Sequence, residues 1–325
     1  FLLLACLTAL ALTACGAEKP QEISLFAMDT YMTLAAYGDS ADEALTAASR
    51  EINRLEATLS RTIDTSDVSR LNAGEAVVVQ PETRALLERA LTLSDETGGT
   101  FDMTVAPLVA LWGITSDAPR VPSQEEIDAL LPLVGGEHVH MDDAVTLDAG
   151  CAVDLGGIAK GYASQQVADI LRAHGITSAV VSLGGNVYVC GSKPDGTPWN
   201  VGIQDPAGSG YAAMVSLTDR FAVTSGGYQR YFEAEDGTVY RHILDPRTGC
   251  PADSDLLSVT IISDDGTAAD AYSTALYVMG EQEAVSFWRA HGGFELILIT
   301  ADGRLLYTPG LSDVITKPED CAYDF

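Results

Sequence analysis

The sequence predicts one compact α+β domain of mostly antiparallel strands flanked by helices. Helical patterns occur towards both ends of the chain, whereas Thr177 to Ser263 is rich in strand patterns and short glycine turns. Helices and strands do not alternate regularly, as they would around a parallel sheet. No repeat or linker divides the 325 residues, so we expect a single large unit.

The N-terminal half begins with a strand pair and continues with helices. Residues Glu22 to Gly38 alternate between apolar and polar side chains, which is typical of half-buried strands. Ser40 to Glu43 has the form of a capping box, and apolar residues at helical spacing continue to Leu59. A short strand is expected at Ala76 to Val79, and Pro81 suits the first position of the next helix.

The C-terminal half contains further helices around the strand-rich region. A capping pattern opens a helix at Ser123 to Glu126, and another helix is expected from about Gly157 to His174. The chain then predicts one or two helices over Thr267 to His291. Two strands are expected to follow, Phe294 to Thr300 and Arg304 to Thr308.

The first residues have the pattern of a bacterial lipoprotein signal. Phe1 to Leu12 is an uncharged apolar stretch, too short to span a membrane. The sequence Leu12-Thr13-Ala14-Cys15 matches the lipobox, in which the cysteine becomes the lipidated first residue. We therefore expect a signal peptide over 1–15, a membrane anchor on Cys15 and a tether over 16–22, in an extracytoplasmic protein. A buried N-terminal helix is the alternative.

The charge of the chain excludes several kinds of partner. The formal net charge is −28, so the surface repels nucleic acid and anionic lipid headgroups. The same charge repels phosphorylated ligands, so a nucleotide site here needs local positive charge or a metal ion.

Four cysteines remain after the proposed anchor. In an oxidising compartment they allow three disulfide pairings, among which the sequence does not choose. No CxxC motif or histidine at zinc-like spacing accompanies them, so we interpret them as structural or free. They are Cys151, Cys190, Cys250 and Cys321.

A glycine-rich segment, Asp154 to Ala163 (DLGGIAKGYA), has the character of an anion site. Glycines at the start of a helix let the backbone approach a ligand closely, and the helix N-terminus attracts negative charge. Lys160 would fall in the first turn. The spacing fits neither a P-loop nor GxGxxG, and an ordinary helix start is the alternative.

Two further segments carry groups suited to chemistry. Asp270, Ser273 and Thr274 share one helix face, and a carboxylate with hydroxyl oxygens suits Mg²⁺. The alternative is that Asp270 caps the helix. His242 precedes an Asp-Pro turn, and histidine can act as a general base near neutral pH. A structural histidine beside an ordinary turn is the alternative.

Taken in order, these segments and several others resemble the ApbE family of FAD:protein FMN transferases. The resemblance spans roughly Ile23 to Thr308 and implies a transferase domain over 23–310, with a C-terminal tail over 311–325. The matching segments are AMDTYMTL (27–34), SDVSRLN (66–72), GGTFDMTVAPLVALWG (98–113), DLGGIAKGYA (154–163), SLGGN (182–186), FAVTSGGYQRYF (221–232), HILDPRTG (242–249) and DAYSTALYVMG (270–280).

The resemblance implies a role for individual residues. It assigns Mg²⁺ to the side chains of Asp270 and Thr274 and to the carbonyl of Gly157, with Ser273 as a further ligand in some members. His242 takes the position of the histidine proposed to activate the acceptor hydroxyl. FAD, as substrate, is assigned to Met28, Thr100, Phe101, Asp102, Asp154, Lys160 and Leu244.

The reaction that the resemblance implies is transfer of FMN from FAD to a Thr or Ser of an acceptor protein, with release of AMP. Such acceptors are flavoprotein subunits of extracytoplasmic or membrane redox systems. Thr62 stands where many relatives have an aromatic residue that packs on the flavin. The alternatives are therefore an FAD pyrophosphatase, with water as acceptor, and a flavin-binding lipoprotein without catalysis.

Overall fold

The computed structural model describes residues 19–208 and 210–325. The proposed signal peptide and the anchor at Cys15 lie outside these residues. Within them the chain forms seven α-helices and seventeen strands, and every pair of neighbouring strands is antiparallel. The predicted α+β class is confirmed.

The helices range from one to several turns in length. They are α1 (Ala41–Leu59), α2 (Asp67–Asn72), α3 (Pro81–Glu96), α4 (Ala106–Trp112), α5 (Gln124–Leu130), α6 (Ala159–Ala173) and α7 (Gly266–His291).

The strands are mostly short. They are β1 (Gln21–Ala27), β2 (Thr30–Ala36), β3 (Val139–Met141), β4 (Val145–Leu147), β5 (Ser178–Leu183), β6 (Asn186–Gly191), β7 (Trp199–Gln204), β8 (Tyr211–Leu217), β9 (Arg220–Gly226), β10 (Tyr231–Glu233), β11 (Val239–Arg241), β12 (Leu244–Asp245), β13 (Cys250–Pro251), β14 (Leu256–Ser263), β15 (Glu295–Thr300), β16 (Leu305–Tyr307) and β17 (Ile315–Thr316).

An eight-stranded sheet, in the order β1-β2-β5-β6-β9-β14-β15-β16, forms the centre of the fold. Helices α1, α6 and α7 pack on one face and bury the main hydrophobic core. A three-stranded sheet, in the order β17-β8-β7, covers part of the other face with a second core. Because alternate side chains of a strand face opposite sides, the central strands contribute to both cores.

Several predicted details differ in the structure. Ser40 makes no side-chain cap bond at α1, so the capping box predicted there is wrong, whereas Ser123 and Glu126 form theirs at α5. The strand expected at Ala76 to Val79 is reduced to one bridge, between Val77 and Val145.

Both ends of the described chain are more ordered than the sequence indicated. Strand β1 begins at Gln21, within the segment interpreted as a tether. At the other end, the segment 311–325 is packed onto the domain rather than separated from it. Ile315 pairs with Val215, and Tyr323 is buried in the second core. Apolar side chains in this segment therefore complete the cover over the small sheet.

Helix α7 is interrupted at Gly280, which has φ 75° and ψ 177°. The side chain of Asp255 accepts a hydrogen bond from the N–H of Glu281 at 2.9 Å and so caps the second half. The sequence pattern of one or two helices is thus met by two helical segments joined by a kink at Gly280. In the described ranges, no helix combines the length and apolar character needed to cross a bilayer.

The four cysteines described by the structure are all free. Cys151 and Cys190 are buried, and burial raises the pKa of both thiols. Thiols with raised pKa values are poor nucleophiles at neutral pH, which agrees with the interpretation of these residues as structural.

Candidate active site

A cleft of about 600 Å³ opens where the β1–β2 hairpin, the start of α6, the end of β9 and helix α7 meet. Of the residues that the sequence singled out for chemistry, eleven line this cleft, although they come from well-separated segments, whereas Ser273 is buried behind it. Their individual roles remain predictions. They are Met28, Thr100, Phe101, Asp102, Asp154, Gly157, Lys160, His242, Leu244, Asp270 and Thr274.

Asp270 lies on the first half of α7 and is only 3% exposed. Its Oδ2 accepts a hydrogen bond from the backbone N–H of Gly161 at 2.8 Å, whereas Oδ1 accepts none from the residues described. A Cβ on Gly161 would lie 2.2 Å from the carbonyl oxygen of Gly266. Only glycine therefore lets α6 come close enough to α7 to hold this carboxylate.

A chain of hydroxyl groups orients Thr274. Ser273 Oγ donates to the carbonyl oxygen of Asp270 at 2.8 Å, so its contact with Ser225 Oγ, also 2.8 Å, must be donated by Ser225. The contact of 3.3 Å between Ser225 Oγ and Thr274 Oγ1 is then donated by Thr274. The lone pairs of Thr274 Oγ1 therefore remain available to bind a cation or to accept a hydrogen bond from a ligand in the cleft.

Ser273 is fully buried behind this face, with its hydroxyl engaged as described. Gly157 lies in front of it, since a Cβ there would be 3.6 Å from Thr274 Oγ1. The donor set is thus a carboxylate, a hydroxyl and a nearby backbone segment, all of them oxygen donors. Oxygen ligands in small number suit Mg²⁺, which keeps waters and substrate phosphates in its shell.

Histidine and cysteine ligands do not contribute to this donor set. Across 19–208 and 210–325, no group of three or more His, Cys, Asp or Glu side chains is arranged to hold a metal ion. A cation at Asp270 would therefore have hydroxyl and backbone oxygens as its other protein donors, with the rest of its shell supplied by water or substrate.

The glycine-rich segment also supplies positive charge to the cleft. Lys160 lies in the first turn of α6, and its Nζ donates to the carbonyl of Gly156 at 3.0 Å. Within the described ranges, no carboxylate forms an ion pair with it. Asp154, in contrast, is paired with Arg61 at 3.2 Å. Lys160 is therefore the cation available to a phosphate in this acidic chain.

Thr100 and Asp102 line the cleft, but their side chains are bonded to the protein. Asp102 Oδ1 accepts from the N–H of Thr104 at 2.8 Å and caps a short 3₁₀ turn, while Oδ2 accepts from Ser94 at 3.0 Å. The hydroxyl of Thr100 donates to the carbonyl of Thr97 at 2.9 Å. These two residues shape the wall of the cleft, and Phe101 between them is 4% exposed.

The tip of the β1–β2 hairpin forms another wall. Met28 and Asp29 have φ values of 48° and 57°, a left-handed conformation that is unfavourable for side chains of this kind. Glu56 accepts a hydrogen bond from the N–H of Met28 at 2.7 Å, and Arg230 holds the carboxylate of Asp29 at 2.6 Å. These bonds keep Met28 against the cleft.

His242 is half-buried and carries a defined tautomer. Its Nδ1 lies 3.0 Å from the carbonyl oxygen of Arg230. A carbonyl can only accept, so Nδ1 bears the proton and Nε2 carries the lone pair. Burial lowers the pKa of His242 to about 4; the carbonyl bond opposes this shift, and the charges of Arg230 and Lys160 add to it. The ring is therefore neutral at neutral pH, with the Nε2 lone pair available to accept a proton.

The structure also brings in residues to which the sequence gave no role. Ser225, Arg230 and Asn186 lie in segments that matched the family pattern, so the signal was present but not specific. Glu56 and Arg61 carried no signal of their own, since a charged residue at a helix end is usually solvated. Each of the five lines the cleft.

Thr62 is part of the same cleft, and its hydroxyl lies 3.0 Å from that of Ser60. The position expected to carry an aromatic ring thus faces the site with a small polar side chain. The apolar lining comes instead from Leu59, Val105, Val109, Ile243 and Leu244.

Comparison with known proteins shows the family of the chain. The sequence model of the ApbE family matches residues 28–298. A protein of Treponema pallidum named FAD:protein FMN transferase is 37% identical over 284 residues, which cover 81% of this chain and 78% of that protein. A protein of the same name from Vibrio cholerae is 35% identical, covering 73% of each chain.

Solved structures show the same fold. The ApbE protein of Thermotoga maritima superposes with a TM-score of 0.85 at 34% identity, covering 91% of this chain and 99% of its own. The flavinyl transferase ApbE of Pseudomonas stutzeri, in its apo form, gives a TM-score of 0.80 at 31% identity and covers 90% of this chain and 95% of its own. The chain therefore belongs to the ApbE family.

Proposed function

We propose that the protein is an FAD:protein FMN transferase that uses Mg²⁺ to move FMN from FAD to a Thr or Ser hydroxyl of an acceptor protein. The observation that carries the proposal is the arrangement of the cleft. A neutral histidine, a lysine that pairs with no carboxylate of the described residues and an oxygen pair on α7 face one space of about 600 Å³.

His242 is the base for the acceptor. Because Nδ1 is held by the carbonyl of Arg230, Nε2 is free to take the proton of the incoming hydroxyl. The acceptor oxygen forms a bond to the phosphorus on the FMN side, and the bond from that phosphorus to the bridging oxygen breaks. AMP leaves with the bridging oxygen, and the acceptor keeps FMN through a phosphoester.

Charge in the cleft is matched to a pyrophosphate. Lys160 contributes a cation, and the N-terminus of α6 contributes backbone N–H groups. Asp270 and Thr274 would hold Mg²⁺, with the carbonyl of Gly157 as a further donor. The ion, when bound, polarises the phosphoryl oxygens and offsets their repulsion from a chain of net charge −28.

The proposal is tested with soluble protein beginning after Cys15, FAD, Mg²⁺ and an acceptor domain bearing a Thr-containing flavinylation segment. Mass spectrometry follows covalent flavin on the acceptor, and AMP release is measured in parallel. Attachment that requires the acceptor and is abolished by EDTA supports the transferase. Intact FAD after prolonged incubation would instead indicate a flavin-binding protein without catalysis.

An FAD pyrophosphatase is the second candidate, and Thr62 is the observation that favours it. Without a ring at this position, we expect the flavin to be held loosely and water to compete with the acceptor. Replacing Thr62 with Tyr is expected to lower the KM for FAD about tenfold, since stacking on an aromatic ring is worth ~1–3 kcal/mol per base. Release of AMP without acceptor is expected to fall.

Thr65 is a matched control for this change, because it lies exposed in the same loop but does not line the cleft. Thr65→Tyr should leave the KM unchanged. Equal KM values for the wild type and Thr62→Tyr would mean that the loop does not contact the flavin.

We also propose that the protein is anchored by lipid on Cys15 outside the cytoplasm, where its acceptors are subunits of extracytoplasmic or membrane redox systems. The lipobox and the apolar run before it support this. Cell fractionation tests it, with Cys15→Ala expected to move the protein out of the membrane fraction. Retention of that variant in the membrane would rule out anchoring through this cysteine.

A further inference from the structure

Asn186 is the first residue of β6 and follows the turn Gly184-Gly185. It is 1% exposed, and neither of its side-chain polar atoms is hydrogen-bonded to any residue that the structure describes. A buried amide without partners is unfavourable, because it has lost its bonds to water without replacing them. The buried atom without a partner among the described residues is Nδ2, the donor end of the amide.

Six side chains in the described ranges have a buried polar atom without a partner: those of Ser164, Ser178, Asn186, Tyr188, Trp199 and Tyr277. Of these six, Asn186 alone lines the cleft. The other five do not line the cleft, so their unpaired atoms do not face a ligand bound there.

The register of the sheet shows which part of the cleft Asn186 faces. Asn186 pairs with Val223 on β9, so its side chain lies on the same face of the sheet as Val223 and, two residues on, Ser225. Ser225 contacts the hydroxyl of Thr274 on α7. Asn186 therefore faces the oxygen donors of α7 rather than the apolar wall around Leu244.

The turn before Asn186 is also built to keep it there. A Cβ on Gly184 would lie 2.2 Å from the hydroxyl of Thr30, so the hairpin tip packs directly against this turn. Thr30 and Gly184 both line the cleft. The amide is thus fixed in position before any substrate binds, as required of a group that stabilises developing charge.

We infer that Asn186 is a catalytic residue whose side-chain N–H donates a hydrogen bond to a non-bridging oxygen of the phosphoryl group that is transferred. The inference rests on the proposed function, since it concerns the pyrophosphate of FAD. The donor lies beside the α7 oxygens, where that phosphoryl group is expected. Its bond strengthens as negative charge develops on the oxygen.

Replacing Asn186 with Leu, which has a similar shape and no donor, tests the inference. The kcat for transfer is expected to fall about 100-fold, as when one preorganised donor is removed from an active site, with a smaller change in KM. The same variant should unfold about 2 °C above the wild type without substrate, because the unbonded amide is gone. Loss of rate with gain of stability would not arise from a disturbed fold.

Asn72 provides the contrasting substitution. Both ends of its amide are bonded, donating to the carbonyl of Val153 at 2.9 Å and accepting from its N–H at 2.7 Å. Asn72→Leu is therefore expected to lower the unfolding temperature, with the opposite sign to Asn186→Leu. Equal destabilisation by the two changes would show that Asn186 is an ordinary structural amide.

Competition by two fragments locates the contact. ADP with Mg²⁺ carries a pyrophosphate without flavin, and riboflavin carries flavin without phosphate. Asn186→Leu should weaken inhibition by ADP at least fivefold and leave inhibition by riboflavin unchanged; the reverse pattern would overturn the inference. A wild-type protein that transfers no FMN would refute the proposed function instead, whereas unchanged transfer by Asn186→Leu would refute only the role of Asn186.

Discussion

Replacement of Asp270 by Asn is expected to slow FMN transfer about a thousandfold. Asp270 is the single carboxylate on the α7 face, and its Oδ1 has no protein partner among the described residues. Asparagine keeps the shape and can still accept the bond from Gly161, so the fold should survive. What is lost is the negative charge that holds a divalent cation.

A binding measurement separates this loss from a general defect. Mg²⁺ added with FAD should raise the unfolding temperature of the wild type and leave that of Asp270→Asn unchanged. In EDTA the variant should be at least as stable as the wild type, since a buried carboxylate with one hydrogen bond is costly. Asp265→Asn, at the N-cap of the same helix, serves as the control and should retain its rate. A Mg²⁺-dependent shift that persists in Asp270→Asn would place the ion elsewhere.

Replacement of His242 by Ala is expected to reduce transfer by about 10²- to 10⁴-fold, the usual contribution of a general base. His174 is the matched control, because its Nδ1 also lies near a backbone carbonyl, that of Ile170 at 2.8 Å, but it lies outside the cleft. His174→Gln should transfer FMN at the wild-type rate. Full activity of His242→Ala would mean that the acceptor hydroxyl loses its proton to another group.

The pH dependence gives an independent measure of the same residue. Because burial lowers the pKa of His242 to about 4, the ring stays neutral as the pH falls through the usual range of histidine. The base is present above the lowered pKa and is lost only below it. The kcat/KM for the acceptor should therefore be level from pH 7 down to about 5 and fall near pH 4. A fall centred near pH 6.5 would indicate an exposed, unperturbed histidine.

The sequence was sufficient to predict the fold class and to single out some of the residues that line the cleft. Helical spacing placed Asp270 and Thr274 on one face, and the glycine-rich segment placed Lys160 in the first turn of a helix. These features depend on neighbours within one or two turns, and local patterns report such relations directly.

Bonds between distant segments could not be predicted in this way. Arg230 is 201 residues from Asp29, and Ser225 is 48 residues from Ser273, yet these pairs hold the hairpin tip and orient the α7 hydroxyls. The C-terminal segment looked like a tail because its partner strand β8 lies about 100 residues earlier in the chain. The segment that begins at Ser40 has the residue types of a capping box. The backbone of Ser40 (φ −89°, ψ 3°) is not in the extended conformation typical of a capping residue, and its side chain makes no cap bond.

Arg230 contacts both His242 and the tip of the β1–β2 hairpin, to which the proposed function assigns the acceptor and the flavin respectively. Its backbone carbonyl receives both N–H groups of His242, and its side chain holds Asp29 at the tip of the hairpin that carries Met28. The proposed base for the acceptor and the proposed wall of the flavin site are therefore connected through one residue. Under the proposed function, a flavin that displaced the hairpin would therefore act on the position of the histidine through Arg230. By thermodynamic linkage, any resulting change in acceptor affinity is matched by an equal change in flavin affinity when the acceptor binds first.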